Sequence, residues 1–223
     1  MDRSSSLAKI QIALDLLDRE LLREIALYAY ESGVDIIEIG TPAIKRYGVE
    51  IIREVRELLG DRAFILADMK TSDVAEIEIG LAAEAGANAT TIMGVAYDEV
   101  ILEAVNAKKK FNIEVWADLM YIDNYLERSL KLRDLGIDTV ILHIGIDVQR
   151  RRGVTAEILR EEVFRISREG LRVAVAGGLD PVKARELIAR GASIVIIGGW
   201  VTRHRDWRDR IRECVRVIKS GNR

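Results

Sequence analysis

The sequence predicts an α/β fold: one (β/α)8 TIM barrel as a single domain over residues 1–223, with residues 1–8 as a short polar tail. Three observations predict it. Eight short β-rich runs alternate with amphipathic stretches whose apolar residues recur every three or four positions. The β-rich runs are almost continuously apolar, as parallel strands covered on both faces must be. One junction recurs, in SGVDIIEIG, AGANATTIMG, LGIDTVILHIG and RGASIVIIGG: a glycine ends a helix and an apolar strand follows. It leads into strands two, four, six and eight, so a period near 50 residues runs through the chain.

The strands are read at KIQIALD (9–15), DIIEIG (35–40), AFILADM (63–69) and NATTIMG (88–94), then IEVWADL (113–119), DTVILHIG (138–145), LRVAVAGG (171–178) and SIVIIGG (193–199). Stretches such as DRELLREIALYAYES and VEIIREVRELLG supply the helices, and Asp18 and Asp180 are placed to cap the helices they precede. The rival fold, an open doubly wound sheet, wants a glycine-rich dinucleotide loop after strand one; IALDLLDRE has none.

The net charge of −2 argues against a broad basic surface for nucleic acid. The runs QRRRG (149–153) and RHRDWRDRIR (203–212) read as solvated helix faces or loops, with a local role for some arginines toward an anionic ligand left open. Cys214 is the only cysteine, so neither a disulfide framework nor a zinc cluster is expected. The polar opening and the lack of an apolar run of about 18 residues point to a cytoplasmic chain without membrane contact.

In such barrels the active site lies at the C-terminal ends of the strands. Those ends supply Asp15, Glu38 and Gly40, then Asp68, Lys70 and Asp73, then Asp118, His143, Gly177–Gly178 and Gly198–Gly199. Alternation along strand three turns Asp68 and Lys70 to the barrel mouth and Ala67 and Met69 to the helices. A lysine beside carboxylates stays charged. Glu38 and Asp68, ionised and without a thiol nearby, make a hard oxygen site suited to Mg²⁺. Such an ion beside a lysine stabilises an enediolate, and His143 can move a proton near neutral pH. The glycine-rich ends of strands seven and eight leave backbone N–H groups open to a phosphate. A phosphorylated small molecule with metal-stabilised enolate chemistry at its other end is the expectation.

ADMKTSD (67–73) resembles the DxKxxD motif of the orotidine 5′-phosphate decarboxylase suprafamily. IQIALD, DIIEIGTPAIKRYG, ILADMKTSD, HIGIDVQ, AVAGGL and VIIGG follow in that family's order over essentially the whole chain, and are most similar to its 3-hexulose-6-phosphate synthase branch. The resemblance implies a lyase, a homodimeric barrel with active sites at the dimer interface. It implies Glu38 and Asp68 as ligands of Mg²⁺ (Mn²⁺ as a substitute), and Lys70 holding the enediolate oxygen. It also implies Asp73 reaching into the partner's site, Asp15 at the substrate and His143 as acid and base. Gly177, Gly178, Gly198 and Gly199 take the phosphate-loop positions. The implied reaction is a reversible aldol condensation of D-ribulose 5-phosphate with formaldehyde to D-arabino-hex-3-ulose 6-phosphate, with a 6-phospho-3-hexuloisomerase as functional partner. The orotidine decarboxylase pattern has lysine where this chain has Glu38. The 3-keto-L-gulonate-6-phosphate decarboxylase pattern has arginine where Ile146 stands, and Gly-Arg where Gly198–Gly199 stand. That decarboxylase is the first alternative; a non-catalytic phosphosugar-binding barrel is the second. Trp200, where the family has a small residue, and the basic runs 150–152 and 203–205 depart from the pattern.

Overall fold

The computed structural model describes residues 8–219, so all of the expected polar tail except Ala8 lies outside the described residues. Eight parallel strands close into a barrel in chain order. They are β1 (Lys9–Leu14), β2 (Ile36–Ile39), β3 (Ile65–Thr71), β4 (Ala89–Met93), β5 (Glu114–Asp118), β6 (Thr139–His143), β7 (Arg172–Ala176) and β8 (Ile194–Ile197). All eight fall where the apolar runs place them. The helices of the first half are α1 (Arg19–Glu31), α2 (Thr41–Tyr47), α3 (Glu50–Leu59), α4 (Ala75–Glu84) and α5 (Asp98–Phe111). The second half carries α6 (Tyr125–Leu135), α7 (Ile146–Arg152), α8 (Arg160–Ser167), α9 (Pro181–Ala189), α10 (Gly199–Thr202) and α11 (Trp207–Lys219).

The recurring junction has a backbone cause. Gly33, Gly86, Gly136 and Gly191 all sit at positive φ, between 91° and 109°, where a side chain would be strained. Asp18 accepts a hydrogen bond from the Leu21 N–H, and Asp180 from the Val182 and Lys183 N–H groups, so both cap their helices.

Period-two alternation divides the strand residues between two cores. Ile36, Leu66, Ala89, Trp116, Ile141, Ala174 and Ile194 fill the barrel; Ile37, Ile39, Ala67 and Val140 pack outward under the helices. Each fully buried Ile or Leu contributes roughly 2 kcal/mol by leaving water. Trp116 packs near Phe64, ring centroids 6.3 Å apart, and donates its indole N–H to Glu114. The same alternation carries Glu38, Asp68 and Asp118 inward, one step beyond the apolar layer.

Candidate active site at the barrel mouth

Strand three is irregular where it carries its charges. Its pairing with β4 shifts register between Ala67 and Thr71. Lys70 lies in that shift with φ 50°, a left-handed conformation that costs a non-glycine residue about 1 kcal/mol or more. The Lys70 N–H donates to Thr91 Oγ1 at 2.9 Å, which fixes the turned backbone. Both inward groups then meet: Lys70 Nζ lies 2.7 and 2.9 Å from the two Asp68 oxygens.

Asp68 is held on each side. The Thr91 hydroxyl donates to Oδ1 and the Thr41 hydroxyl to Oδ2, both at 2.8 Å. Lys70 also reaches across to Asp118 Oδ2 at 3.1 Å. That same oxygen lies 2.8 Å from His143 Nδ1, and Asp118 Oδ1 accepts the Met120 N–H. Asp68, Lys70, Asp118 and His143 therefore form one hydrogen-bonded chain from β3 through β5 to β6.

The electrostatics of that chain are consistent. Burial pushes the Asp118 carboxyl up, but the charge and hydrogen bond of His143, Lys70 and the Met120 N–H outweigh it and hold the pKa down at about 2. Burial works against the Lys70 ammonium, yet Asp68 and Asp118 raise its pKa above the ordinary lysine value. An ionised Asp118 only accepts, so the proton of the shared bond sits on His143 Nδ1. His143 Nε2 is then the nitrogen free to take a proton.

Glu38 is buried, and its carboxyl is pushed well above the usual range by burial and by the charges of Asp68 and Asp15. The Gln11 amide donates to its Oε2 at 2.6 Å; Oε1 accepts no hydrogen bond among the described residues. Three acidic groups thus share a small volume with Lys70 as the cation among them. This excess of hard oxygen fits a divalent ion such as Mg²⁺, which needs only one or two carboxylates beside substrate oxygens and water. Among the described residues no group of three or more His, Cys, Asp and Glu is disposed to hold a metal ion by itself, so substrate oxygens and water would have to complete the shell.

Asp15 lies beyond the end of β1, its carboxyl raised by burial and Asp68 and lowered by Lys70, His143 and Arg203. Gly40 makes room for it: a Cβ there would collide with Asp15 Oδ1 and stand 3.0 Å from Asp15 Cα. Gly40→Ala is therefore expected to displace Asp15 and lower activity about 100-fold, with catalytic misplacement rather than unfolding as the cause. Steady-state kinetics with a thermal melt checks this.

At the other side of the mouth, the N–H groups of Gly177, Gly178 and Gly198 make no backbone hydrogen bond among the described residues. Gly177 has φ 125°, and a Cβ on it would lie 2.5 Å from the Ile144 carbonyl oxygen. Trp200 packs on the outer core, with the Arg210 guanidinium 4.7 Å from its ring.

The structure brings Asp15, Glu38, Asp68, Lys70 and His143 to the mouth and sets the four glycines at the ends of β7 and β8. It does not bring Asp73 there: Asp73 is exposed in the loop before α4. Sequence reasoning noted Asp118 among the strand ends but gave it no role, and it missed Gln11, Thr41 and Thr91. Asp118 carried the same signal as its neighbours, an acid closing an apolar run.

The family model described as orotidine 5′-phosphate decarboxylase / HUMPS family matches residues 8–214. A 3-hexulose-6-phosphate synthase 2 of Staphylococcus saprophyticus is 32% identical over 212 residues, covering 95% of this chain and 98% of its own. The crystal structure of 3-hexulose-6-phosphate synthase from Salmonella typhimurium is 29% identical with a TM-score of 0.88, covering 95% of this chain and 99% of its own. A ligand complex of KGPDC from Streptococcus mutans superposes with a TM-score of 0.89 over 96% of this chain and 99% of its own. At 24% identity it is a likeness of fold.

Proposed function

Because the chain belongs to the orotidine 5′-phosphate decarboxylase / HUMPS family, we propose that it is a metal-dependent aldolase of the 3-hexulose-6-phosphate synthase type. It joins D-ribulose 5-phosphate and formaldehyde reversibly into D-arabino-hex-3-ulose 6-phosphate. The observation that carries this reading is the chain Asp68–Lys70–Asp118–His143, which sets a charged donor and a proton acceptor at one mouth.

The phosphate is received by the backbone N–H groups of Gly177, Gly178, Gly198 and Gly199. His143 Nε2 takes a proton from C1 of the sugar. The Lys70 ammonium, with N–H groups on Asp68 and Asp118, directs its third at the enediolate oxygen. Asp118 holds His143 in the tautomer that leaves Nε2 open, and Asp15 orients the substrate. C1 then bonds to the formaldehyde carbon, and the new alkoxide takes up a proton. Glu38 and Asp68 would hold Mg²⁺, which when bound supplies Lewis-acid stabilisation to the enediolate oxygens. Condensation abolished by EDTA and restored by Mg²⁺ supports this reading. Decarboxylation of 3-keto-L-gulonate 6-phosphate outrunning condensation contradicts it.

The enzyme works as a homodimer in the cytoplasm, beside an isomerase for its product. Supporting the dimer, Val74, Ile77, Leu81, Val95, Tyr97 and Tyr121 expose between 42% and 83% of their surfaces around Asp73 and helices α4 and α5. A groove of about 420 Å³ runs through the same face, lined by Asp73, Ile77 and Val100 among others. Among the described residues no helix is long and apolar enough to cross a membrane. If Asp73 serves the neighbouring site, mixing inactive Asp73→Asn and Lys70→Ala protomers restores about a quarter of wild-type activity, since half the dimers are mixed and each regains one of two sites. No recovery after subunit exchange places Asp73 in its own protomer's chemistry.

A further inference from the structure

The Gly198–Gly199 turn lies against a carboxylate. A Cβ on Gly198 would stand 3.9 Å from Asp15 Oδ2 and 3.6 Å from the Ala13 Cβ. A sugar phosphate carries nearly two negative charges at neutral pH, and one seated on this turn stands next to the acidic side of the mouth, Asp15 nearest. Backbone N–H groups supply only partial charge. A full cation on the phosphate side would add to their grip, because Lys70 is committed to Asp68 and Asp118 and any Mg²⁺ to Glu38 and Asp68.

Arg203 supplies one. It follows α10, and its own N–H bonds back to the Gly199 carbonyl oxygen at 3.3 Å. Its side chain folds over the same glycine: a Cβ at Gly199 would lie 3.0 Å from Nε, 3.1 Å from Cζ and 3.3 Å from Cδ of Arg203. The absent side chain at Gly199 is therefore the space that Arg203 occupies. Among the described residues the Arg203 guanidinium has neither an ion pair nor a side-chain hydrogen bond. Arg208, Arg210 and Arg212 in the same basic run are held by Glu24, Asp206 and Asp209. Arg203 lies against Gly199 and Asp15 lies against Gly198, so the guanidinium stands one residue along the same turn from the acidic side of the mouth.

We infer that Arg203 is a substrate-binding residue, whose guanidinium closes over the Gly198–Gly199 turn and grips the phosphate of the sugar phosphate. The inference rests on the phosphosugar reading above and adds the cation that the glycine loops lack. Arginine suits the task because its planar fork meets two phosphate oxygens at once. The exposed end of α10 lets it swing with the ligand, and Arg205, two residues on, makes no such contact with the glycines.

The test uses the Mg²⁺-loaded enzyme, with D-ribulose 5-phosphate and formaldehyde as substrates and inorganic phosphate as a competitive inhibitor. Arg203→Ala is expected to raise KM for the sugar phosphate about 10- to 100-fold and to weaken inhibition by phosphate similarly, with kcat within about threefold. Arg203→Lys recovers part of the loss, and Arg205→Ala stays within about twofold of wild type. Gly199→Ala, which pushes the guanidinium aside, raises KM in the wild-type background. A thermal melt for each variant separates these effects from misfolding. An Arg203→Ala enzyme with KM and phosphate inhibition within about twofold of a working wild type overturns the inference, as does a loss confined to kcat. A wild type that neither condenses the substrates nor is inhibited by phosphate overturns the parent reading, and this inference with it.

Discussion

Lys70→Ala is expected to lower kcat/KM for the condensation by about 1,000-fold or more, because a preorganised cation at a developing oxyanion is among the largest single contributions to catalysis. The geometry explains the size. Lys70 lies between Asp68 and Asp118, 2.7 to 3.1 Å from their oxygens, and its backbone is turned to φ 50° to put it there. Such a group costs nothing to reorganise when charge appears on the substrate. The variant also leaves two carboxylates facing each other without their shared cation, so stability falls by about 3 kcal/mol. Arginine does not substitute, because its fork does not fit the gap between the two acids. Stopped assays together with a thermal melt of each variant separate the catalytic loss from the structural one.

Asp118→Asn is expected to cost about 1,000-fold in kcat while the protein stays folded. An amide is nearly the same size as the carboxylate, yet it changes both contacts. With its NH2 in the Oδ2 position it faces both the Lys70 ammonium and His143 Nδ1, repelling the first and flipping the proton of the second to Nε2; turned over, the NH2 meets the Met120 N–H instead. With the proton on Nε2 the imidazole no longer accepts one from C1. The substitution also removes a pH-dependent contribution to stability. The Asp118 pKa is held at about 2, below the ordinary aspartate value, so its contribution is complete above about pH 4 and fades as pH falls through 2. The wild type thus loses about 2 kcal/mol over that window that the variant lacks from the start. Denaturant unfolding at pH 6 and below pH 3 measures the difference, which narrows on acidification.

How far the sequence carried the account depends on distance along the chain. The eight strands were legible because each apolar run is local, and the glycine junctions because positive φ is a property of one residue. Alternation sent Asp68 and Lys70 inward together; the structure does bring them to one point, but Lys70 arrives through the left-handed turn in the register shift, not through regular pleating. Contacts across the barrel were not legible. Asp118 meets Lys70 and His143 only because closure brings β3, β5 and β6 to a common centre, and nothing in VWAD gives the stagger that aligns them. Thr91 and Thr41 support Asp68 for the same reason. Lys70 in a left-handed conformation has no sequence mark either, because lysine gives no preference for it. The bulky Trp200 beside the phosphate loop read as a departure at the site, yet its side chain belongs to the outer core and to Arg210 on α11.

The central claim is that this mouth forms a 1,2-enediolate from a sugar phosphate. Proton exchange at C1 of D-ribulose 5-phosphate in D2O, followed by NMR without formaldehyde, tests it most directly. Exchange that requires Mg²⁺, stops with EDTA and is lost in folded Lys70→Ala, with hexulose phosphate forming once formaldehyde is added, is the predicted result. A folded, Mg²⁺-loaded wild type that leaves the C1 protons in place would contradict the account.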